Sequence, residues 1–190
     1  MERIDLINYW NYFLSVEKDL DCTSQFVEPL GQENTYSFEF AKILILSCTE
    51  VESLFKEICS MIEDRQVQGC MDTYKACILT AYPKITTATV SVSRWGKTIQ
   101  PFEGWDLGPL PWWKDYQVIK HSRAYHFEAA TYSNAVYALS ALYILIFYAA
   151  KIANFDFPNT KSIYIDSEYE NTNMLFGPIK PLPDFETADE

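Results

Sequence analysis

Leu44, Cys48, Val51, Phe55, Ile58 and Ile62 follow one another at steps of four, three, four, three and four residues. That period draws one apolar stripe along an α-helix. Ser37 has the chemistry of its N-cap, so a long helix is expected from there to about Asp64. Glu52 and Lys56 stand at the i, i+4 spacing that favours a surface pair. Upstream, residues 4–20 are aromatic-rich and amphipathic and are also expected to be helical. "DCTSQFVEPLGQENTY" joins the two irregularly, marked by Pro29, Gly31 and Asn34. Gln68 and Gly69 read as a break, and "CMDTYKACILTAY" as a shorter helix ending at Pro83.

The pattern then changes. "KITTATVSVSRW" is dense in β-branched residues and predicts one or two short strands. "GKTIQPFEGWDLGPLP" is punctuated by Gly and Pro and predicts an irregular path, so residues 84–111 form a β-containing insertion. A helix is expected to begin at Trp112, after Pro111, with Trp113 turned toward the body. It either runs unbroken to Lys151 or is recapped within 131–134. The apolar run from Ala135 to Ala150 falls short of the roughly 18–20 residues that cross a bilayer. Ser140 and three tyrosines interrupt it, so it is expected to be a buried bundle helix rather than a membrane segment.

After Asn154 the apolar pattern thins: "SIYIDSEY" could pair as an edge strand, and "GPIKPLPDFETADE" reads as a loosely held tail. The expected fold class is mainly α, a bundle of four to five helices over residues 1–153 with the small β insertion, followed by an extension over 154–190.

Composition refines this reading. A chain of 190 residues is long enough for one domain with a real core. Aromatic residues make up 16% of it, a level that suits clefts and interfaces as well as cores. The formal net charge of −11 argues against capture of long nucleic acid by the average field. Much of the excess lies in the extension, where eight acids face Lys161 and Lys180, whereas Lys114, Lys120 and Arg123 outweigh Asp115 in the middle of the chain. Five cysteines without a C-x-x-C, and only two histidines, suggest neither a disulfide framework nor a metal site, and no cofactor is expected. Cys48 and Cys59 are expected to be core residues. The first twenty residues lack the features of a signal peptide, so a cytoplasmic location is the default.

Candidate chemistry gathers in "PLPWWKDYQVIKHSRAYHF". Continued as a helix through residue 127, it would put Tyr116, Lys120, Arg123 and Phe127 on one face, with His126 beside Arg123 and His121 about 100° round from Lys120. Two permanent cations, an imidazole and a phenol on one face could hold a phosphate and move a proton beside it. The alternative is plain: solvated or paired cations and a hydrogen-bonding histidine.

"CTEVESLFKEI" (48–58) and "PWWKDYQVIKHSRAYHFEAATYSNAVYALSALYILI" (111–146) together resemble a group of uncharacterised prokaryotic proteins of HEPN type. The resemblance covers about half the chain. It implies a dimeric helical bundle of a kind found in toxin–antitoxin and phage-defence systems, many of whose members cut RNA without metal. In those members an arginine and a histidine, four to six residues apart, stabilise the phosphorane and transfer the proton during attack by the 2′-hydroxyl. Here the matching positions are Lys120 and His126, with lysine in place of arginine and Arg123 inside the gap. Lysine offers a point charge where arginine offers a bidentate fork. The resemblance thus implies catalytic roles for His126, Lys120 and Arg123, with Lys114, Tyr116 and His121 completing a phosphate- or RNA-binding set.

Two functions are expected from this reading. One is an RNA-binding or RNA-cleaving homodimer with a cognate antitoxin or defence protein as a further partner and no membrane. The other is a catalytically inactive homodimeric interaction module of the same fold, using aromatic surfaces such as Trp95, Phe102, Trp105, Trp112 and Trp113. A hydrolase with clustered carboxylates is the weakest reading, because Glu50, Glu57, Glu63 and Asp64 form no compact array with histidine.

Overall fold

The computed structural model describes residues 3–155 and 182–185. Helix α1 (Arg3–Thr23) buries Leu6, Trp10, Phe13, Val16 and Leu20, spaced so that one stripe faces inward. Helix α2 (Phe38–Ile62) starts where expected, with the Ser37 Oγ accepting the Phe40 N–H at 3.1 Å. Its predicted stripe is buried from Leu44 to Ile58, while Ile62 at the helix end is half-buried. The inward face is wider than one stripe, since Ile43, Ser47, Leu54 and Cys59 are buried as well.

Helix α3 (Met71–Ala81) lies against α2. The insertion then begins as a 3-10 turn over Pro83–Thr87 rather than as a strand. Only β1 (Val90–Val92) falls within the predicted β-branched run. Its partner β2 (Lys97–Ile99) lies in the stretch expected to be irregular, pairing antiparallel with Val90 opposite Ile99. Gly96, at φ 59°, supplies the left-handed turn that folds the hairpin back. Val90, Val92, Trp95 and Ile99 point into the core, so the hairpin is held by its side chains on the helices.

Helix α4 (Pro111–Ser122) opens with proline at its first position, and helix α5 (Tyr132–Ile152) is capped by Thr131, whose hydroxyl accepts the Asn134 N–H at 3.1 Å. The chain between Trp112 and Lys151 is therefore two helices, and the recapping point is the predicted one. Helix α5 is the axis of the bundle: it packs most extensively on α2 and also on α1 and α4. By length and composition Tyr132–Ile152 could cross a bilayer, yet 78% of its most apolar window is buried inside the protein. Ser140 is among its wholly buried positions.

The expected edge strand at 162–169 lies outside the described residues. Residues 182–185, part of the expected loose tail, are instead docked. Asp184 accepts the Lys84 N–H at 3.0 Å and the Tyr148 hydroxyl at 2.8 Å, and Phe185 stacks on Tyr82 at 5.2 Å. Leu182 is buried beside them. Two hydrogen bonds and two apolar side chains offset the ordering of this short segment.

Candidate functional site

The site follows from where α4 stops. Tyr132 N–H donates to the Thr35 carbonyl at 2.8 Å, Ser133 N–H to Glu33 at 2.9 Å, and Ser37 N–H to Ala130 at 3.4 Å. These bonds tie the start of α5 to the segment before α2, including the single bridge between Tyr36 and Thr131. Backbone groups committed to that pairing cannot join a continuous helical ladder. Helix α4 accordingly ends at Ser122, a turn closes with Tyr125 N–H on the Ser122 carbonyl at 2.9 Å, and Phe127–Ala129 forms a 3-10 turn. The Asn134 amide reinforces the corner by donating to Asp115 at 2.7 Å and to the Ala129 carbonyl at 2.9 Å.

The expected helical face is therefore corrected. Arg123 is the C-cap of α4, and His126 and Phe127 lie beyond the helix, so Tyr116, Lys120, Arg123 and Phe127 do not share one helical surface. Tyr116 is buried and cannot itself reach a ligand; its role is to support Lys120, whose Nζ lies 5.4 Å from the ring centroid. The Tyr116 hydroxyl, and then the Glu52 charge, hold the Lys120 ammonium above its usual pKa. Glu52 approaches Lys120 at 3.7 Å, so Glu52 turns to α4 rather than forming the expected pair with Lys56. Lys120 and His121 in the last turn also complement the negative end of the α4 dipole.

Further along, His126 Nδ1 lies 3.6 Å from Glu128 Oε1, with both side chains more than half exposed. Phe127 packs on Phe38 at 4.7 Å and edge-on to Tyr36 at 5.6 Å. Lys120 thus faces Glu52, while the residue after His126 faces Phe38, fourteen positions earlier on α2. Those two contacts, Glu52 with Lys120 and Phe38 with Phe127, are fourteen positions apart on α2, while His126 itself has its contact with Glu128. Lys120 stands in the last turn of α4, whereas His126 lies beyond the helix end, so helical spacing does not set their relation. Lys114, His121 and Arg123 are exposed, with Lys114 near the opposite end of α4.

Trp105, Trp112 and Trp113, expected as interaction aromatics, belong to the core, as do Trp95 and Phe102. Trp105 stacks on Phe55 at 5.1 Å, and Trp112 Nε1–H donates to the Pro101 carbonyl at 2.8 Å. The Trp112 polar tip is satisfied inside the fold, which removes the reason for holding the ring at a surface.

Several rings that reach solvent, Phe26 among them, were not anticipated. Phe38 is 78% exposed, Tyr36 52% and Tyr125 84%. A signal for Phe38 existed: six residues before Leu44, it sits about 120° off the buried stripe. Half-buried Phe127 packs on Phe38 and Tyr36, close in the chain to the exposed His121, Arg123 and His126.

A different cleft, of about 360 Å3, lies between α1 and α2 and is lined by Asp5, Asn8, Tyr9, Tyr12, Glu50 and Glu57. Burial, together with these carboxylates, raises the Tyr9 phenol above its usual pKa. A pocket of that sign repels phosphate. Among the described residues no group of His, Cys, Asp and Glu is arranged to hold a metal ion. Compared with known proteins, the chain matches no family model, no curated protein and no solved structure.

Proposed function

We propose that this chain is a HEPN-like protein that binds short single-stranded RNA, with the strip from Lys120 to Phe127 and the adjoining Tyr36 and Phe38 as its contact surface. The observation that carries this reading is the exposed Tyr36 and Phe38 packed on half-buried Phe127, in the segment whose His121, Arg123 and His126 are exposed. Aromatic faces stack unpaired bases, and cations beside them neutralise phosphates. The net charge of −11 opposes wrapping by a long duplex but not the seating of a few nucleotides on a local patch.

Binding is favoured over cleavage. In-line attack needs the cation and the proton-transferring group on the same phosphate, and His126 lies beyond the end of the helix that carries Lys120, with Glu128 rather than Lys120 as its neighbour. The resemblance places such a binder in a toxin–antitoxin or phage-defence setting, as a two-fold dimer.

The test is fluorescence anisotropy of a labelled RNA of about 12 nucleotides, within the range one binding face covers. Phe38→Ala and Arg123→Glu should each weaken binding at least about fivefold, and Arg123→Glu should also flatten the salt dependence. On a denaturing gel the RNA should stay intact with both the unaltered protein and His126→Ala. Binding that is indifferent to both substitutions would remove this reading. A second reading, a non-catalytic homodimeric module, is favoured by the exposure of Phe38 and Tyr36. It requires Phe38→Glu to convert a dimer to a monomer in light scattering with no RNA bound at any salt.

A further inference from the structure

Two thiols meet where α3 lies against α2. Cys59 Sγ donates to the Tyr74 carbonyl at 3.7 Å. A helical carbonyl points toward the C-terminus, so that oxygen lies beside positions 77 and 78 of α3. Cys77, three residues on from Tyr74 along α3, therefore stands beside the Cys59 thiol, and both are free cysteines. Their exposure differs. Cys59 is wholly buried, whereas Cys77 is half-buried and lines a surface cleft of about 350 Å3 with Thr73, Thr80, Glu63 and Arg65. One sulfur can meet a small solute, and the other waits directly behind it.

We propose that Cys59 and Cys77 form an oxidisable dithiol that closes to an intramolecular disulfide joining α2 to α3, with Cys77 the thiol that meets a hydroperoxide. In the first step the Cys77 thiolate attacks a peroxide oxygen. A sulfur–oxygen bond forms, the oxygen–oxygen bond breaks, and the departing hydroxide takes a proton to become water. In the second step the Cys59 sulfur attacks the Cys77 sulfur as it loses its proton. The sulfur–sulfur bond forms, the sulfur–oxygen bond breaks, and a second water leaves. The two sulfurs together give up two electrons, and one hydrogen peroxide accepts them.

The surroundings set the order of events. Burial and then the Cys77 side chain keep Cys59 in its thiol form, so closure is the slow step and sulfenic acid on Cys77 precedes it. The link would close a short loop between neighbouring elements, and the oxidised protein should melt at a higher temperature than the reduced one.

The experiment uses the full chain carrying Cys22→Ser and Cys70→Ser, which removes the two exposed thiols. Hydrogen peroxide is added stepwise and the intact mass, the non-reducing peptide map and the melting temperature are followed. The expected result is a loss of two hydrogens, a linked peptide pair containing Cys59 and Cys77, a higher melting temperature, and reversal by dithiothreitol. Adding Cys77→Ser should abolish the linked pair, and this half-buried position keeps the variant folded by circular dichroism. Adding Cys59→Ser should instead leave a sulfenic acid on Cys77 that dimedone traps. A Cys77 that oxidises to sulfinic acid with no linked pair, or a Cys59 that pairs elsewhere, would overturn the proposal.

Discussion

At the scale of single residues, the tryptophans decide how the aromatic content is used. Trp105 is 1% exposed, stacked on Phe55 and 5.4 Å from Phe102. Trp105→Ala should therefore cost about 3–5 kcal/mol in urea unfolding, the range for emptying a large buried aromatic site. A loss under about 1 kcal/mol would return that ring to the surface. Trp112→Phe keeps most of the ring but leaves the Pro101 carbonyl without its donor, and should cost about 1–3 kcal/mol by the same measurement. For Trp113 the sequence pointed both ways, toward the body from its place in the first turn of α4 and toward a surface from the aromatic cluster, and the structure buries it. The burial of Trp105 was not legible, because it depends on Phe55, fifty residues earlier.

At the scale of elements, caps and breaks matter more than propensity. Ser37 holds the N-terminus of α2 by accepting the Phe40 N–H, and its own N–H reaches the Ala130 carbonyl. Ser37→Ala should lower stability by about 0.5–2 kcal/mol, with Ser37→Asp retaining most of it, as read from chemical denaturation. The start of α2, the cap of α5 and the length of α3 could be read from local chemistry. The end of α4 could not. Periodicity alone carries a helical face on through Phe127, and the backbone pairing of 130–133 with 33–37 is what interrupts it. The hairpin was likewise half legible: β1 is marked by β-branched residues, whereas β2 owes its place to pairing across Gly96.

At the scale of the whole molecule, α5 gathers α1, α2 and α4, and the segment 182–185 closes over the junction of α5 with the turn at Pro83–Thr87. Asp184→Ala leaves the buried Tyr148 hydroxyl and the Lys84 N–H without their acceptor. A cost of about 1–3 kcal/mol is expected, with faster proteolysis in the C-terminal extension. Alkaline pH tests the same core. Burial pushes the Tyr132 phenol up to about 12, against 10.0 for an ordinary tyrosine. The unfolded chain then releases this proton before the folded one does, so folded-state stability falls as pH rises. The contribution is complete below pH 10 and is lost as pH rises through about 12. The urea midpoint should drop more steeply across that window in the unaltered protein than in Tyr132→Phe. Parallel curves would mean that Tyr132 ionises as freely when folded as when unfolded.

The sequence by itself determined the mainly helical class, the long central helix with its cap and apolar stripe and the buried character of the Ala135–Ala150 run, and it offered 131–134 as one possible break before α5. Each depends on spacing and chemistry within a few turns of one segment. Only the tertiary structure decided which rings lie inside, where the 111–131 stretch breaks between α4 and α5, how 182–185 docks and that Lys120 turns to Glu52. Those outcomes turn on contacts between residues far apart in the chain, where one backbone pairing or one ring stack outweighs what the local pattern prefers.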